Sequence, residues 1–293
     1  TGVQTCALPI CTRTPVKRLY AWMPLLAWEL PKGDPAAADR VTALPGKAGT
    51  HLNMGYARLS PFSPRARAAI REIYEDLARS VPFEGLLFHD DVTLTDFEDT
   101  SADAMRTYRD WGLPTSVAEI RANDDLIGRW TILKINALDE FAKQMAAVVR
   151  REQPALVTAR NLYAQVALDP RSEVWYSQAL ENSLANYDFT AIMAMPYMEN
   201  AADPAEFQRR IIERVKAAGP EAMGRVVFEL QTVDWRQAER PIPTAELVDT
   251  IRSLYAQGVQ HIAYYPDMMF ENHPAPAEMR AVFALKRDRP EVD

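Results

Sequence analysis

The sequence has little cysteine: Cys6 and Cys11 are the only two among 293 residues. The chain beyond them needs no disulfide, and its cysteine usage does not identify a compartment. No apolar run approaches the ~20 residues that a membrane-spanning helix requires. The net charge is −7 and no stripe of lysine and arginine is present, which disfavours a nucleic-acid partner.

Several catalytic patterns are also missing. The four histidines, His51, His89, His261 and His273, include no pair at i and i+4, so a three-ligand catalytic metal set is not evident. There is no Gly-x-Ser-x-Gly nucleophile elbow and no glycine-rich dinucleotide loop. We therefore expect neither a metal nor a cofactor.

The chain is built from short apolar runs that alternate with longer amphipathic segments. Six runs are predicted strands, at residues 20–28, 85–88, 156–159, 189–195, 226–230 and 261–265. Each is followed by a predicted helix, including helices at residues 172–186, 204–218 and 244–257, which favours a parallel sheet. We predict an α/β fold of the (β/α)8 TIM-barrel type, incomplete, with about six strand–helix units. Residues 1–15 are expected to be a non-native or disordered head, and residues 16–293 one barrel domain that lacks its first units.

Polar side chains follow the predicted strands, where barrel enzymes place their active sites. The strand at residues 85–88 ends in His89, Asp90 and Asp91. Neighbouring carboxyl groups raise each other's pKa, which suits an acid that must stay protonated. An Asp-Asp pair at a strand end is also a common helix or turn cap, so the pair alone leaves both interpretations open.

Seven short stretches in the same order carry a family resemblance: residues 21–24, 58–62, 88–91, 158–161, 191–197, 229–231 and 264–267. Together they resemble glycoside hydrolase family 153, the C-terminal domains of PgaB-type poly-β-1,6-N-acetyl-D-glucosamine N-deacetylases. The similarity extends from about residue 18 to residue 283.

The resemblance implies an endo-acting glycoside hydrolase that cleaves partially de-N-acetylated poly-β-1,6-N-acetyl-D-glucosamine during processing and export of biofilm exopolysaccharide. It also implies an N-terminal deacetylase domain in the full-length protein, an outer-membrane export porin as a partner, and a periplasmic, outer-membrane-associated location. The alternative from another class is a non-catalytic groove that guides the polymer during export.

The resemblance assigns Asp90 as the catalytic acid. Asp91 is then expected to orient the acetamido group or a water molecule. Glu229, at another strand end, is the candidate second carboxylate, although a core-facing glutamate paired with Arg160 is an equally good interpretation. A second carboxylate or the substrate's own acetamido group can complete the reaction. Retaining, inverting and substrate-assisted mechanisms all stay open.

Further residues at strand ends and in the following loops are expected to bind substrate. Aromatic rings pack well against the apolar faces of sugars, and polar groups can bond to hydroxyls. The predicted substrate-binding residues are His89, Asp96, Arg160, Asn161, Trp175, Tyr197, Trp235, Tyr265 and Asp267.

Some of these residues have a simpler explanation. An arginine at a strand end, such as Arg160, is as often structural, and Trp175 could belong to the core. Trp22, Trp130 and Phe141 lie within regular elements and are expected to be core residues. The acidic stretch Asp96, Glu98 and Asp99 is expected to be a solvated surface, with Asp96 able to support the site.

Overall fold

The computed structural model describes residues 17–47 and 56–285. The predicted head at residues 1–15 lies outside the described residues. The chain forms two compact units. Unit 1 comprises residues 1–161 and 170–188, and unit 2 comprises residues 162–169 and 189–293.

Unit 1 contains three strands and most of the helices of the first half of the chain. The strands are β1 (Tyr20–Met23), β2 (Gly85–Phe88) and the first five residues of β3 (Val157–Tyr163). The helices are α1 (Pro64–Ser80), α2 (Ala102–Asp110), α3 (Val117–Arg121), α4 (Asp124–Arg150), α6 (Glu173–Tyr176) and α7 (Leu180–Asn186).

Unit 2 repeats the alternation of strand and helix. It contains α5 (Ala164–Leu168), β4 (Phe189–Met193), α8 (Pro204–Ala217), β5 (Val226–Gln231), β6 (Val233–Asp234), β7 (Arg240–Pro241), α9 (Thr244–Ala256), β8 (His261–Tyr265) and α10 (Pro276–Ala284). Strands β6 and β7 form an antiparallel pair that the sequence did not predict.

All long strands pair in parallel within their units. In unit 1, Met23 of β1 is opposite Phe88 of β2, which is opposite Arg160 of β3. In unit 2, Met193 of β4 is opposite Glu229 of β5. The six parallel strands and their helices confirm the predicted (β/α)-barrel class with about six strand–helix units.

Close packing of β1 on β2 depends on a glycine. A Cβ atom at Gly85 would lie 2.2 Å from the ring of Tyr20, so no larger residue fits without moving that ring. The core of unit 1 then lies between the strands and helices α1, α2 and α4, with Tyr74, Phe88 and Trp130 all fully buried. This packing fixes the carboxyl ends of β1 and β2 at one edge of unit 1, with Arg160 of β3 beside Phe88.

Helix starts follow the capping rules. Ser63, Ser101 and Asn123 each accept a hydrogen bond from a backbone N–H in the first turn of α1, α2 and α4, respectively. Asp203 caps α8 in the same way, and Pro204 occupies the first helical position. Within the described residues, no helix is both long and apolar enough to cross a membrane.

Candidate active site

An ion pair joins His89 and Asp90 immediately after β2. The Nδ1 atom of His89 lies 2.7 Å from Oδ1 of Asp90 and 3.7 Å from Oδ1 of Asp91. Burial alone would lower the pKa of His89, but the bonds to Asp90 and Asp91 outweigh it and raise the pKa to about 9. The imidazole is therefore cationic at neutral pH, and a positive charge lies against the Asp90 carboxylate.

Aromatic side chains surround this pair. The rings of Trp22 and Tyr56 lie 4.7 and 5.4 Å from the ring of His89. The hydroxyl of Tyr56 donates a hydrogen bond of 3.4 Å to Asp90. The indole N–H of Trp22 donates to Oδ1 of Asn161 at 2.9 Å, so the predicted residue Asn161 lies in the same group.

Asp91 has a different environment from Asp90. Its side chain is fully buried and accepts three backbone hydrogen bonds, from the N–H groups of Leu25, Leu26 and Ala27 at 3.1, 2.6 and 2.6 Å. Both carboxylate oxygens are thus bonded to the loop that follows β1. This geometry favours Asp91 as an anchor between two loops.

The acidic stretch after Asp91 is buried, so the prediction of a solvated surface is wrong. Glu98 forms a salt bridge with Arg58, in which both carboxylate oxygens lie 2.9 Å from Nη2. Asp96 pairs with Arg121. The surface explanation fails because these cations come from residues that are distant in sequence, and they allow the carboxylates to leave water.

Asp99 is held by neutral donors as well. It accepts bonds from the hydroxyls of Ser60 and Ser101 and from the backbone N–H of Thr42. Burial raises the pKa of Asp99, and these bonds oppose the rise. Asp96, predicted to bind substrate or to support the site, is 6% exposed and pairs with Arg121 beside Glu98 and Asp99.

The backbone of this stretch is held as firmly as its side chains. We call residues Val92–Glu98 the buried segment, because all seven residues are at most 8% exposed. Every carbonyl oxygen in it accepts a hydrogen bond. The donors, in order from Val92 to Glu98, are Arg160, Arg58, Ser177, Lys134, Arg121, Leu44 and again Lys134.

Lys134, on α4, contributes two of these bonds. Its Nζ lies 2.7 Å from the carbonyl oxygen of Thr95 and 3.1 Å from that of Glu98, and 3.6 Å from the ring centre of Trp130. Burial lowers the pKa of Lys134 to about 7, while the negative charge of Glu98 opposes that shift. Below that pKa the side chain is a buried ammonium bonded to main-chain oxygens.

Arg160 is part of the same arrangement. It is 2% exposed, and its guanidinium contacts the carboxylate of Asp139 at 2.5 Å and the hydroxyl of Tyr187 at 3.2 Å. A third bond, of 2.8 Å, reaches the carbonyl oxygen of Val92. The geometry favours the structural alternative for Arg160 over a contact with sugar.

The tryptophans divide by exposure. Trp130 and Phe141 are fully buried, which confirms their prediction as core residues. Trp22 is 39% exposed, so its prediction as a core residue is wrong; the ring lies over His89 instead. Trp175, on α6, is 40% exposed, as a sugar-binding ring would have to be.

Unit 2 carries the remaining predicted residues. Glu229 lies near the carboxyl end of β5 and is 8% exposed. The ring of Trp235 stacks on that of Tyr265 at a centroid distance of 6.3 Å, and Tyr265 is 40% exposed. Asp267 is exposed and lies 3.5 Å from the hydroxyl of Tyr264.

Tyr197 has a defined partner in unit 2. Its hydroxyl donates to Glu246 of α9, and this bond raises the pKa of Tyr197 to about 12. Gln231 holds the loop below it, because its side-chain oxygen accepts the N–H groups of Tyr197 and Met198 at 2.9 and 3.0 Å. Tyr197 is thus held in place as a neutral donor.

Four residues of this site in unit 1 were missed from the sequence: Tyr56, Arg58, Arg121 and Lys134. Arg58 lies within a stretch that carries the family resemblance, which was a usable signal. Tyr56 is separated from that stretch only by Ala57. For Lys134 and Arg121 the sequence offers no signal, because helical lysines and arginines are normally solvent-exposed.

Comparison with known proteins defines the class. Residues 3–265 match the family described as "Hypothetical glycosyl hydrolase family 13". The PgaB (BpsB) glycoside hydrolase domain from Bordetella bronchiseptica superposes with a TM-score of 0.86 at 42% identity, over 96% of this chain and 77% of that one. With its (β/α)-barrel fold, the chain is a glycoside hydrolase domain.

The chain belongs to hypothetical glycosyl hydrolase family 13. It is also 39% identical over 264 residues to the poly-beta-1,6-N-acetyl-D-glucosamine N-deacetylase of Escherichia coli K12. That match covers 87% of this chain and only 38% of the relative's length. A beta-galactosidase from the haloarchaeon Halorubrum lacusprofundi, with 13% identity and a TM-score of 0.52, shares the fold alone.

Proposed function

We propose that the domain is an endo-acting glycoside hydrolase that cleaves partially de-N-acetylated poly-β-1,6-N-acetyl-D-glucosamine in the processing and export of biofilm exopolysaccharide. The family match and the names of the two similar proteins support this substrate class. The observation that carries the proposal is the Asp90 carboxylate at the end of β2, 2.7 Å from a cationic imidazole.

Asp90 is the proposed general acid. Cleavage of a glycosidic bond requires a proton on the leaving oxygen, and a carboxylic acid commonly supplies it. In the resting site Asp90 is a carboxylate beside the imidazolium of His89, so the pair holds the proton that the reaction needs. As the glycosidic bond breaks, the proton passes from Nδ1 of His89 to Asp90 and from Asp90 to the leaving oxygen, which leaves the imidazole neutral.

Asp91 is proposed to position Asp90 by anchoring the backbone beside it. Its three bonds to backbone N–H groups hold the loop after β1 against the end of β2. The second participant is either the acetamido group of the substrate or another carboxylate. Glu229 is the proposed candidate for that carboxylate, and loss of cleavage in Glu229→Gln would support it.

The exposed aromatic rings are the proposed sugar contacts. Trp22 and Trp175 in unit 1, and Trp235 with Tyr265 in unit 2, present ring surface to solvent. Sugar rings carry apolar C–H faces that pack against such surfaces. Tyr197, Asn161, His89 and Asp267 are proposed polar contacts in the same binding surfaces.

The setting of the domain is proposed from its relatives. We propose that residues 16–293 act as one catalytic domain, that a deacetylase domain precedes it in the full-length protein, and that the protein works in the periplasm at the outer membrane. An export porin would then receive the product. The Escherichia coli relative is named as an N-deacetylase of this polymer. A deacetylase acting on the polymer would produce the partially de-N-acetylated substrate that we propose.

The test compares two aspartate variants. Purified protein is incubated with partially de-N-acetylated polymer, and oligosaccharides are measured by mass spectrometry. Asp90→Asn keeps the shape but removes the proton donor, so the cleavage rate should fall by about 10²–10⁴-fold. Asp110→Asn, on the exposed end of α2, is the matched control and should cleave normally.

The same experiment separates hydrolysis from a guiding role. A non-catalytic groove would bind the polymer and release no oligosaccharides, whatever residue occupies position 90. Normal cleavage by Asp90→Asn would remove Asp90 from the mechanism. Polymer binding by the wild-type protein without any cleavage would instead support the guiding groove.

A further inference from the structure

The buried segment Val92–Glu98 directly follows Asp90 and Asp91. Loops normally lie on the surface, because buried backbone groups need partners. Here all seven residues are buried, and the chain meets the requirement with donors from outside the segment. The loop is thus built as part of the core.

Four cations supply most of these donors. Arg160 bonds to the carbonyl oxygen of Val92 at 2.8 Å, Arg58 to that of Thr93 at 2.5 Å, and Arg121 to that of Asp96 at 2.9 Å. Lys134 bonds to the carbonyl oxygens of both Thr95 and Glu98. We call Arg58, Arg121, Lys134 and Arg160 the cation clamp.

Each of the three arginines of the clamp forms a salt bridge with a carboxylate. Glu98 pairs with Arg58, Asp96 with Arg121 and Asp139 with Arg160. Among the described residues, Lys134 is the member of the clamp with no carboxylate within salt-bridge distance, and both of its hydrogen bonds to them are to main-chain oxygens of the buried segment. Burying an ammonium costs free energy. We therefore expect that its contact with the backbone of the buried segment has a functional role.

We propose that the cation clamp is a positioning device for catalysis, in which Lys134 fixes the backbone after Asp90 so that the Asp90 carboxylate meets the scissile bond. This inference rests on the proposed function. Lys134 does not touch the reacting atoms; it acts through Thr95 and Glu98 on the chain that continues to Asp91. A misplacement of about 1 Å at a reacting group can cost about 10²-fold in rate.

The experiment uses three variants in the whole protein at pH 6, where the ammonium is charged. Lys134→Met removes both main-chain bonds and keeps the length of the side chain. Arg121→Met removes one main-chain bond and the ion pair with Asp96 at a partly exposed position, and guards against a Lys134 variant that does not fold. Arg129→Met is the matched control, because Arg129 is an exposed residue of α4 that bonds to the carbonyl oxygen of Trp111, outside the segment.

Two readouts are measured on each folded variant. Hydrogen–deuterium exchange of residues 92–98 should accelerate in Lys134→Met and Arg121→Met and stay at the wild-type rate in Arg129→Met. On the polymer, kcat should fall by about 10- to 100-fold in Lys134→Met, with KM much less affected. A purely structural role would lower the free energy of unfolding while leaving kcat per folded molecule unchanged, and that result would overturn the proposal.

The exchange readout does not need a substrate. If the wild-type protein cleaves no polymer, the proposed function fails, while faster exchange confined to residues 92–98 would still show that the clamp holds the segment. Wild-type exchange rates in both Lys134→Met and Arg121→Met would show that these cations do not fix the segment, whatever the activity.

Discussion

At the scale of single residues, two adjacent aspartates have separate tasks. Asp90 faces His89 and Tyr56, whereas Asp91 faces the backbone of the loop after β1. The sequence placed both at a strand end near the chemistry, since this follows from barrel architecture. It could not tell them apart, because the donors that distinguish them are 34 to 66 residues away.

His89 should set the alkaline limit of activity. Its pKa in the folded protein is about 9, above the ordinary value of 6.5, because Asp90 and Asp91 stabilise the cation. As pH rises through about 9 the imidazole becomes neutral and the pair of His89 and Asp90 no longer holds a proton for the leaving oxygen, so kcat should fall. The profile of kcat against pH for the wild-type protein and for His89→Gln tests this.

The raised pKa of His89 also determines how the free energy of unfolding changes with pH. The stabilisation from His89 is fully present below pH ~6.5 and is lost as pH rises through about 9. Urea unfolding of wild type and His89→Gln at pH 6 and pH 10 should therefore show a difference that shrinks at the higher pH. Because both proteins contain Lys134 and the other titrating groups, their contributions to the pH dependence cancel in the difference between wild type and His89→Gln. A difference in the free energy of unfolding that is equal at pH 6 and pH 10 would contradict the raised pKa of His89.

At the scale of elements, Asp91 joins the loop after β1 to the end of β2. Asp91→Asn leaves one oxygen where three backbone N–H groups now share two. Each buried donor that loses its acceptor costs about 1–3 kcal/mol, so the free energy of unfolding should fall by at least that amount. Urea denaturation measures it, with Asp110→Asn as the control; wild-type stability in Asp91→Asn would refute the anchor.

Most element positions could be predicted because hydrophobic periodicity is local. Strands β2 and β8 have the predicted bounds, and α8 and α9 end within one residue of theirs. The exceptions have tertiary causes. Strand β1 stops at Met23 because Pro24 lacks an N–H and the next amides bond to Asp91.

Two further differences depend on buried polar contacts. Strand β3 continues through Arg160 and Asn161, which were predicted to follow it, because Asp139 neutralises the arginine inside the core. The single helix predicted over residues 172–186 is broken at Ser177, which has a positive φ of 48° and donates to the carbonyl oxygen of Leu94. No glycine or proline marks that break in the sequence.

At the scale of the whole molecule, the net charge of −7 overstates the negative electrostatic field that a substrate would experience at the surface. Much of the acidic stretch is buried and paired with the cations of the clamp. The carboxylates that follow the strands would form a strongly negative cleft that selects the cationic, deacetylated polymer only if they were exposed, so such selection is not expected. Short-range contacts with the sugar should dominate selection.

Salt should consequently have little effect on substrate preference. Raising ionic strength from 0.1 M to 1 M shortens the Debye length from about 10 Å to about 3 Å, which would abolish selection by a diffuse field. The ratio of initial cleavage rates on partially and fully acetylated polymer should stay nearly constant over that range. A ratio that collapses towards one at high salt would restore selection by the acidic surface.

The cation clamp also has a consequence for how the protein folds. Its donors come from residues 58, 121, 134 and 160, so the buried segment cannot become ordered until chain regions about a hundred residues apart have docked. Contacts of such large sequence separation form slowly, because loop closure must precede them. During refolding, the helical signal should therefore return before the ability to cleave polymer, and Asp90, the proposed general acid, should be among the last residues to reach its native position.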